Sequence, residues 1–242
     1  MQPGYRKTAM HANVLPLTIL LCAVGTPGLP TAWGAPKVQV LPRAALVDKI
    51  RGGWAGQMIG VSYGAPTEFQ SNGKIGEWDL KWSDEMLQNT LQQDDLYVEM
   101  TFAKVMDDLG LDATCAQYGE AFKNSKYHLW HANAGARRVL GQGIQAPDSG
   151  HPKYNFHAND IDFQIEADFI GIMCPGMPRE VIRYCDRVGR VMNYGDGLYG
   201  GMFVCGMYSA AYFETDPRKV TEAALACIPA QSQYAECIRD VM

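Results

Sequence analysis

No stretch of this chain alternates apolar and polar residues over more than a few positions, and no Asn-Gly or Asp-Gly pair joins two β-branched runs. Both signals of a half-buried sheet are therefore missing. Apolar residues recur instead at helical spacing. Leu46, Ile50, Trp54 and Met58 mark one buried stripe over 44–60, which the Gly64-Ala65-Pro66 turn ends. Four glycines in that stretch, Gly52, Gly53, Gly56 and Gly60, weaken a helix and so suggest close approach by a neighbour or a ligand. The expected fold class is all-α.

The remaining helices carry their own punctuation. Gln93 or Asp94 caps a helix that contains Leu96, Val98, Phe102, Val105, Met106 and Leu109 and stops at Gly110. Asp112 is expected to open the next, with Cys115, Tyr118, Ala121 and Phe122 on it. Pro178 and Pro217 suit first helical positions, and Pro229 acts as a stop. Residues 198–213 are apolar almost all round and studded with small residues, as in a central helix approached from several sides. The segments 73–90 and 141–159 read as loops, the second long enough to suggest function.

At 242 residues, 47% hydrophobic and 19% charged, the chain is long enough for one well-buried domain, and disorder is excluded. A net charge of −5 with scattered basic residues gives no reason to bind nucleic acid. Arg6 and Lys7 precede a short apolar run at 14–24, and Ala32-Trp33-Gly34 offers a cleavage site before Ala35. Residues 1–34 are thus expected to be a signal peptide, 35–242 the mature domain, and the product secreted or periplasmic without a stable membrane span. Six cysteines remain, Cys115, Cys174, Cys185, Cys205, Cys227 and Cys237, with no CxxC pair among them, so small buried thiols are expected.

Asp94-Asp95 is the candidate centre. Two adjacent carboxylates at a helix start can hold a hard divalent cation, and Glu68 at the Gly64-Ala65-Pro66-Thr67 turn offers a third. The bland alternative is helix capping. Asp160 and Asp162 add acids near another helix start. His128 and His131 would stand one helical turn apart, a weak zinc signal without further ligands. Asn193-Tyr194-Gly195-Asp196-Gly197 either cradles a substrate group through backbone N–H donors or merely permits tight helix packing, and the sequence leaves both open.

In these residues the chain resembles the ADP-ribosylglycohydrolase family. Gly64-Ala65-Pro66-Thr67-Glu68-Phe69, Asp94-Asp95, Asp160-Ile161, Pro175-Gly176-Met177-Pro178 and Tyr194-Gly195-Asp196-Gly197 carry the similarity over most of 35–242. The resemblance implies an all-α orthogonal bundle with a binuclear Mg2+ (or Mn2+) site that hydrolyses an N- or O-glycosidic bond of ADP-ribose or a related small-molecule or ADP-ribosylated substrate. It implies Asp94 and Asp95 as metal ligands, and Glu68 and Asp160 as catalytic residues. Gly64, Asn193, Tyr194, Gly195, Asp196 and Gly197 are expected at the substrate.

Gln93 and Leu96 replace the hydroxyl residues that flank the family's paired aspartates, and Asp162 stands where the pattern has glycine. The family's later Asp-x-Asp-Thr/Ser motif has no counterpart here. A chain truncated at its C-terminus is expected from this, with an apolar patch beside 198–213; the chain is otherwise expected to be a monomer. A binding module that keeps the cleft without full metal coordination is the rival reading.

Overall fold

A computed structural model describes residues 38–242, and the segment read as a signal peptide lies outside them. Ten α-helices and three 3-10 segments, the longest the nine residues Asp84–Gln92, connected by loops make up the described residues, and none of these residues is in a strand. The helices are α1 (Arg43–Gly64), α2 (Asp94–Leu109), α3 (Cys115–Asn124), α4 (His131–Gly141), α5 (Asp162–Ile165), α6 (Asp168–Met173), α7 (Pro178–Gly189), α8 (Gly195–Ala211), α9 (Pro217–Leu225) and α10 (Gln233–Val241).

Helix α8 is the hub, and α5, α6, α7, α9 and α10 all pack on it. Its glycines explain how so many neighbours fit. A Cβ at Gly201 would stand 2.3 Å from Phe163 Cδ1, and one at Gly206 would stand 2.9 Å from Cys227 Sγ. Gly171 of α6 meets α8 backbone to backbone, because its Cβ would fall 2.6 Å from the Cys205 carbonyl oxygen. No residue of α8 beyond Gly195 is exposed, so the apolar patch expected beside 198–213 is not found there. Exposed Ile59, Trp78, Trp82, Leu91 and Met100 lie instead on or near α1 and α2.

Two expectations about helix starts and glycines change. Helix α3 begins at Cys115 rather than Asp112, because Thr114 and Gln117 form a reciprocal capping box that satisfies two otherwise orphan donors. Of the five glycines in α1, only Gly53 is closely approached, by Ile172 of α6; Gly52, Gly56, Gly60 and Gly64 face open space. Four thiols are buried as expected, Cys174, Cys185, Cys205 and Cys227, whereas Cys115 is half-buried and Cys237 exposed; every described cysteine is free.

No helix among the described residues is long and apolar enough to cross a membrane.

Candidate functional site

Helix α2 starts without a side-chain cap at Gln93, and its first turn carries Asp94 and Asp95. One turn on, Glu99 shares the face of Asp95 and is fully buried. The segment running through α5 and α6 then delivers two more buried acids to the same place, Glu166 at 0% exposure and Asp168 at 6%. These contacts join positions about seventy residues apart in sequence: the Phe169 N–H donates to Glu99 Oε2 at 3.2 Å across a separation of 70.

The electrostatics of the patch are those of like charges brought together in a dry place. Burial, then the charges of Asp94 and Asp168, push Asp95 up to about 7, against a hydrogen bond from its own backbone. Burial, helped by Asp168 and Asp95, lifts Glu99 to about 8, while the Phe169 N–H and the nearby Gln57 amide act the other way. Gln57 stands close, but without hydrogen-bond geometry. Asp168 rises to about 6 through burial, opposed by the Tyr208 hydroxyl that donates to its Oδ2 at 2.8 Å. Glu166 is driven well above the carboxylate range by burial and by Asp162, Asp94 and Asp95.

None of the ion pairs among the described residues includes one of these acids. Asn133 Nδ2 donates to Glu166 Oε1, but Glu166 Oε2 and Glu99 Oε1 are buried with no partner. Buried carboxylate oxygens without donors are costly unless a cation or a proton meets them. Oxygen-only, acid-rich surroundings suit a hard divalent ion such as Mg2+, but among the described residues no three of these carboxylates bring ligand atoms within 4.8 Å of one another, as His131, His157 and Asp160 do.

Sequence reading found Asp94 and Asp95 but missed Glu99, Glu166 and Asp168. A signal was available for each: Glu99 lies four residues after Asp95, and Glu166 and Asp168 interrupt an otherwise apolar run from Ile165 to Ile172. A groove of about 650 Å3 runs along α1 and α2, with Trp54, Met58, Leu96, Tyr97 and Met100 on its walls and none of the five acids among its lining residues.

The other expected site residues are placed as follows. Glu68 follows the 3-10 turn Ala65–Thr67, and its exposed side chain makes no hydrogen bond or ion pair with the described residues, Asp94 and Asp95 included. Gly64 is exposed, and a Cβ there would meet nothing within 4 Å. Asp160 is not among the charges acting on the acid patch. Its Oδ2 lies 3.1 Å from His131 Nδ1 and 2.7 Å from His157 Nδ1. His128 is not one helical turn from His131, because 126–130 is non-helical and α4 starts at His131.

Of the two readings of 193–197, packing accounts for most of the contacts there. The buried Asn193 amide accepts from the Phe163 N–H at 3.0 Å and donates to the carbonyls of Ala158 at 2.9 Å and Asp160 at 2.7 Å. A Cβ on Gly197 would stand 2.6 Å from both Asn193 Nδ2 and the Asp160 carbonyl oxygen. Gly195 has φ 58, and its N-terminal neighbour Tyr194 stacks against His151 and lies under Arg190. Asp196 Oδ1 accepts from the Tyr234 N–H at the start of α10. These groups clamp the α8 start to the 158–163 segment and to α10.

A model of the ADP-ribosylglycohydrolase family matches residues 42–242. No curated protein and no solved structure matches the chain.

Proposed function

The chain belongs to the ADP-ribosylglycohydrolase family, and from that premise we propose that it uses a divalent metal to hydrolyse an N- or O-glycosidic bond of ADP-ribose or a related ribosyl substrate. A glycohydrolase-type activity follows from the family; the metal and the substrate are our reading. The observation that carries it is the acid patch at the α2 start, where Asp94, Asp95, Glu99, Glu166 and Asp168 are linked by mutual charge effects and none has a basic ion-pair partner among the described residues.

Asp94 and Asp95 are the proposed ligands, and the buried, partnerless oxygens of Glu99 and Glu166 would take part through water or after a side-chain shift. Bound there, Mg2+ would supply Lewis-acid polarisation and a fixed point for sugar hydroxyls. The protein's own residues have other tasks. Trp54 and Tyr97 offer aromatic surface in the groove along α1 and α2 for a planar base. Tyr97 is held in place by its hydroxyl, which donates to the His128 carbonyl at 2.7 Å, and by its stacking on Tyr127 at 4.4 Å. Glu68, exposed beyond the α1 end, is proposed as the acid that gives a proton to the leaving-group oxygen or nitrogen. Export through residues 1–34 belongs to the same proposal and points to an extracytoplasmic substrate.

The test is release of ADP-ribose from ADP-ribosylated protein and from O-linked ADP-ribosyl compounds, with Mg2+ and with a chelator. Turnover should require Mg2+, and Asp95→Asn should reduce it by more than the roughly 10–100-fold that outer-shell changes cost. Tight ADP-ribose binding without turnover, indifferent to Mg2+ and to Asp95→Asn, would replace this reading with that of a binding module.

A further inference from the structure

We propose that His131, His157 and Asp160 form a second metal site, for a zinc-class transition-metal ion, distinct from the acid patch and independent of the hydrolase reading. The three residues reach one point from two pieces of chain, His157 and Asp160 sharing one turn in which the Asp160 N–H donates to the His157 carbonyl at 2.8 Å. His131 opens α4, His157 lies near the end of the long loop that follows it, and Asp160 sits in the turn before α5. One ligand atom from each lies within 4.8 Å of the other two.

The donor set decides the class of ion. Two imidazole nitrogens and one carboxylate oxygen favour zinc or a late first-row metal, whereas magnesium prefers oxygens alone. Asp160 Oδ2 faces His157 Nδ1 at 2.7 Å and His131 Nδ1 at 3.1 Å, and the two rings stand at 89° to each other. In a tetrahedral zinc site with bonds of about 2.0–2.1 Å, ligand atoms are roughly 3.3 Å apart. A small spreading of the trio therefore admits the ion, and each imidazole keeps its proton on Nε2.

Surrounding contacts hold all three ligands, as metal sites require. Asp162 accepts from the backbone N–H groups of Ala132 at 3.2 Å and Asn133 at 3.0 Å, tying the α4 start to the Asp160 turn. Asn155 donates to the Ala132 carbonyl at 2.9 Å and accepts from the His157 N–H at 3.2 Å. Asn193 holds the Asp160 carbonyl at 2.7 Å. His131 itself sits at φ 38, a conformation unfavourable for a residue with a Cβ, and in it the imidazole meets Asp160.

Access is open. The side chains of His131, His157 and Asp160 are 58%, 43% and 37% exposed. Three protein ligands leave a coordination position free. A pocket of about 350 Å3 lies against the two histidines, with Arg138 on its wall and Phe156 at its rim. The guanidinium suits an anionic oxygen as the fourth ligand.

Zinc by calorimetry and Co2+ by its visible absorption are the probes, titrated into the full chain with Mg2+ in excess to occupy the acid patch. One equivalent should bind with micromolar affinity or better. His157→Gln and Asp160→Asn should each weaken binding by roughly 100-fold or more. His131→Asn, which tolerates a positive φ, should do the same with unchanged circular dichroism. Asp95→Asn should leave zinc affinity intact, so that failure of the magnesium site and failure of this one are distinguishable. No zinc binding at micromolar ion, or affinity unchanged across the folded variants, would overturn the proposal.

Discussion

At Glu166 burial and charge conflict most sharply: the side chain is fully enclosed, one oxygen has no donor, and three other carboxylates act on it. The same conflict, less extreme, lifts Asp168, Asp95 and Glu99 to about 6, 7 and 8 from ordinary values of 3.8, 3.8 and 4.5. A raised folded-state pKa means that the fold holds a proton that the unfolded chain has already released, so stability must fall as pH rises through this window. Below the ordinary values both states are protonated and the effect vanishes; above the raised values the loss is complete. In a chelator, the thermal unfolding midpoint should therefore drop between about pH 5 and pH 8.5, and Mg2+ should remove much of that drop by taking the protons' place. A metal-free midpoint that climbs across the same range would show that the acids are not crowded as described.

Helix α8 shows what small residues do for an element that must touch five others. Gly171 meets its backbone with no side chain between, so Gly171→Ala forces α6 away from Cys205 and Tyr208. The expected cost is about 1–3 kcal/mol or more in chemical denaturation, whereas Gly56→Ala on the open face of α1 should be neutral or stabilising by up to about 1 kcal/mol. Equal effects at the two positions would contradict the packing account. Helix starts set by local chemistry were legible in the sequence: Pro178 and Pro217 occupy the first helical positions, and Asp216 caps α9 through the Arg218 N–H. The α3 start was misread at Asp112 because the Thr114 and Gln117 box lies two residues on. For the acid patch the limit was range. Asp94-Asp95 could be seen as a pair, but nothing local indicates that Glu166 and Asp168 fold back onto them. The trio of His131, His157 and Asp160 was hidden in the same way, because His128 was the nearer partner in sequence.

At the scale of the molecule, the described residues pack five helices around α8, while α1 and α2 frame an apolar groove. The all-α reading and the family were legible because helical periodicity and the short motifs around Glu68, Asp94 and Tyr194 are local properties. What those residues do together depends on the packing of α2 against α6, which is where the central claim lies. Isothermal titration of Mg2+ into the chain at several pH values tests it most directly. The account predicts a binding heat whose affinity rises between about pH 6 and pH 8, as Asp168, Asp95 and Glu99 lose their protons, and which disappears in Asp95→Asn. No Mg2+ binding at pH 8, or binding of equal strength in the variant, would contradict it.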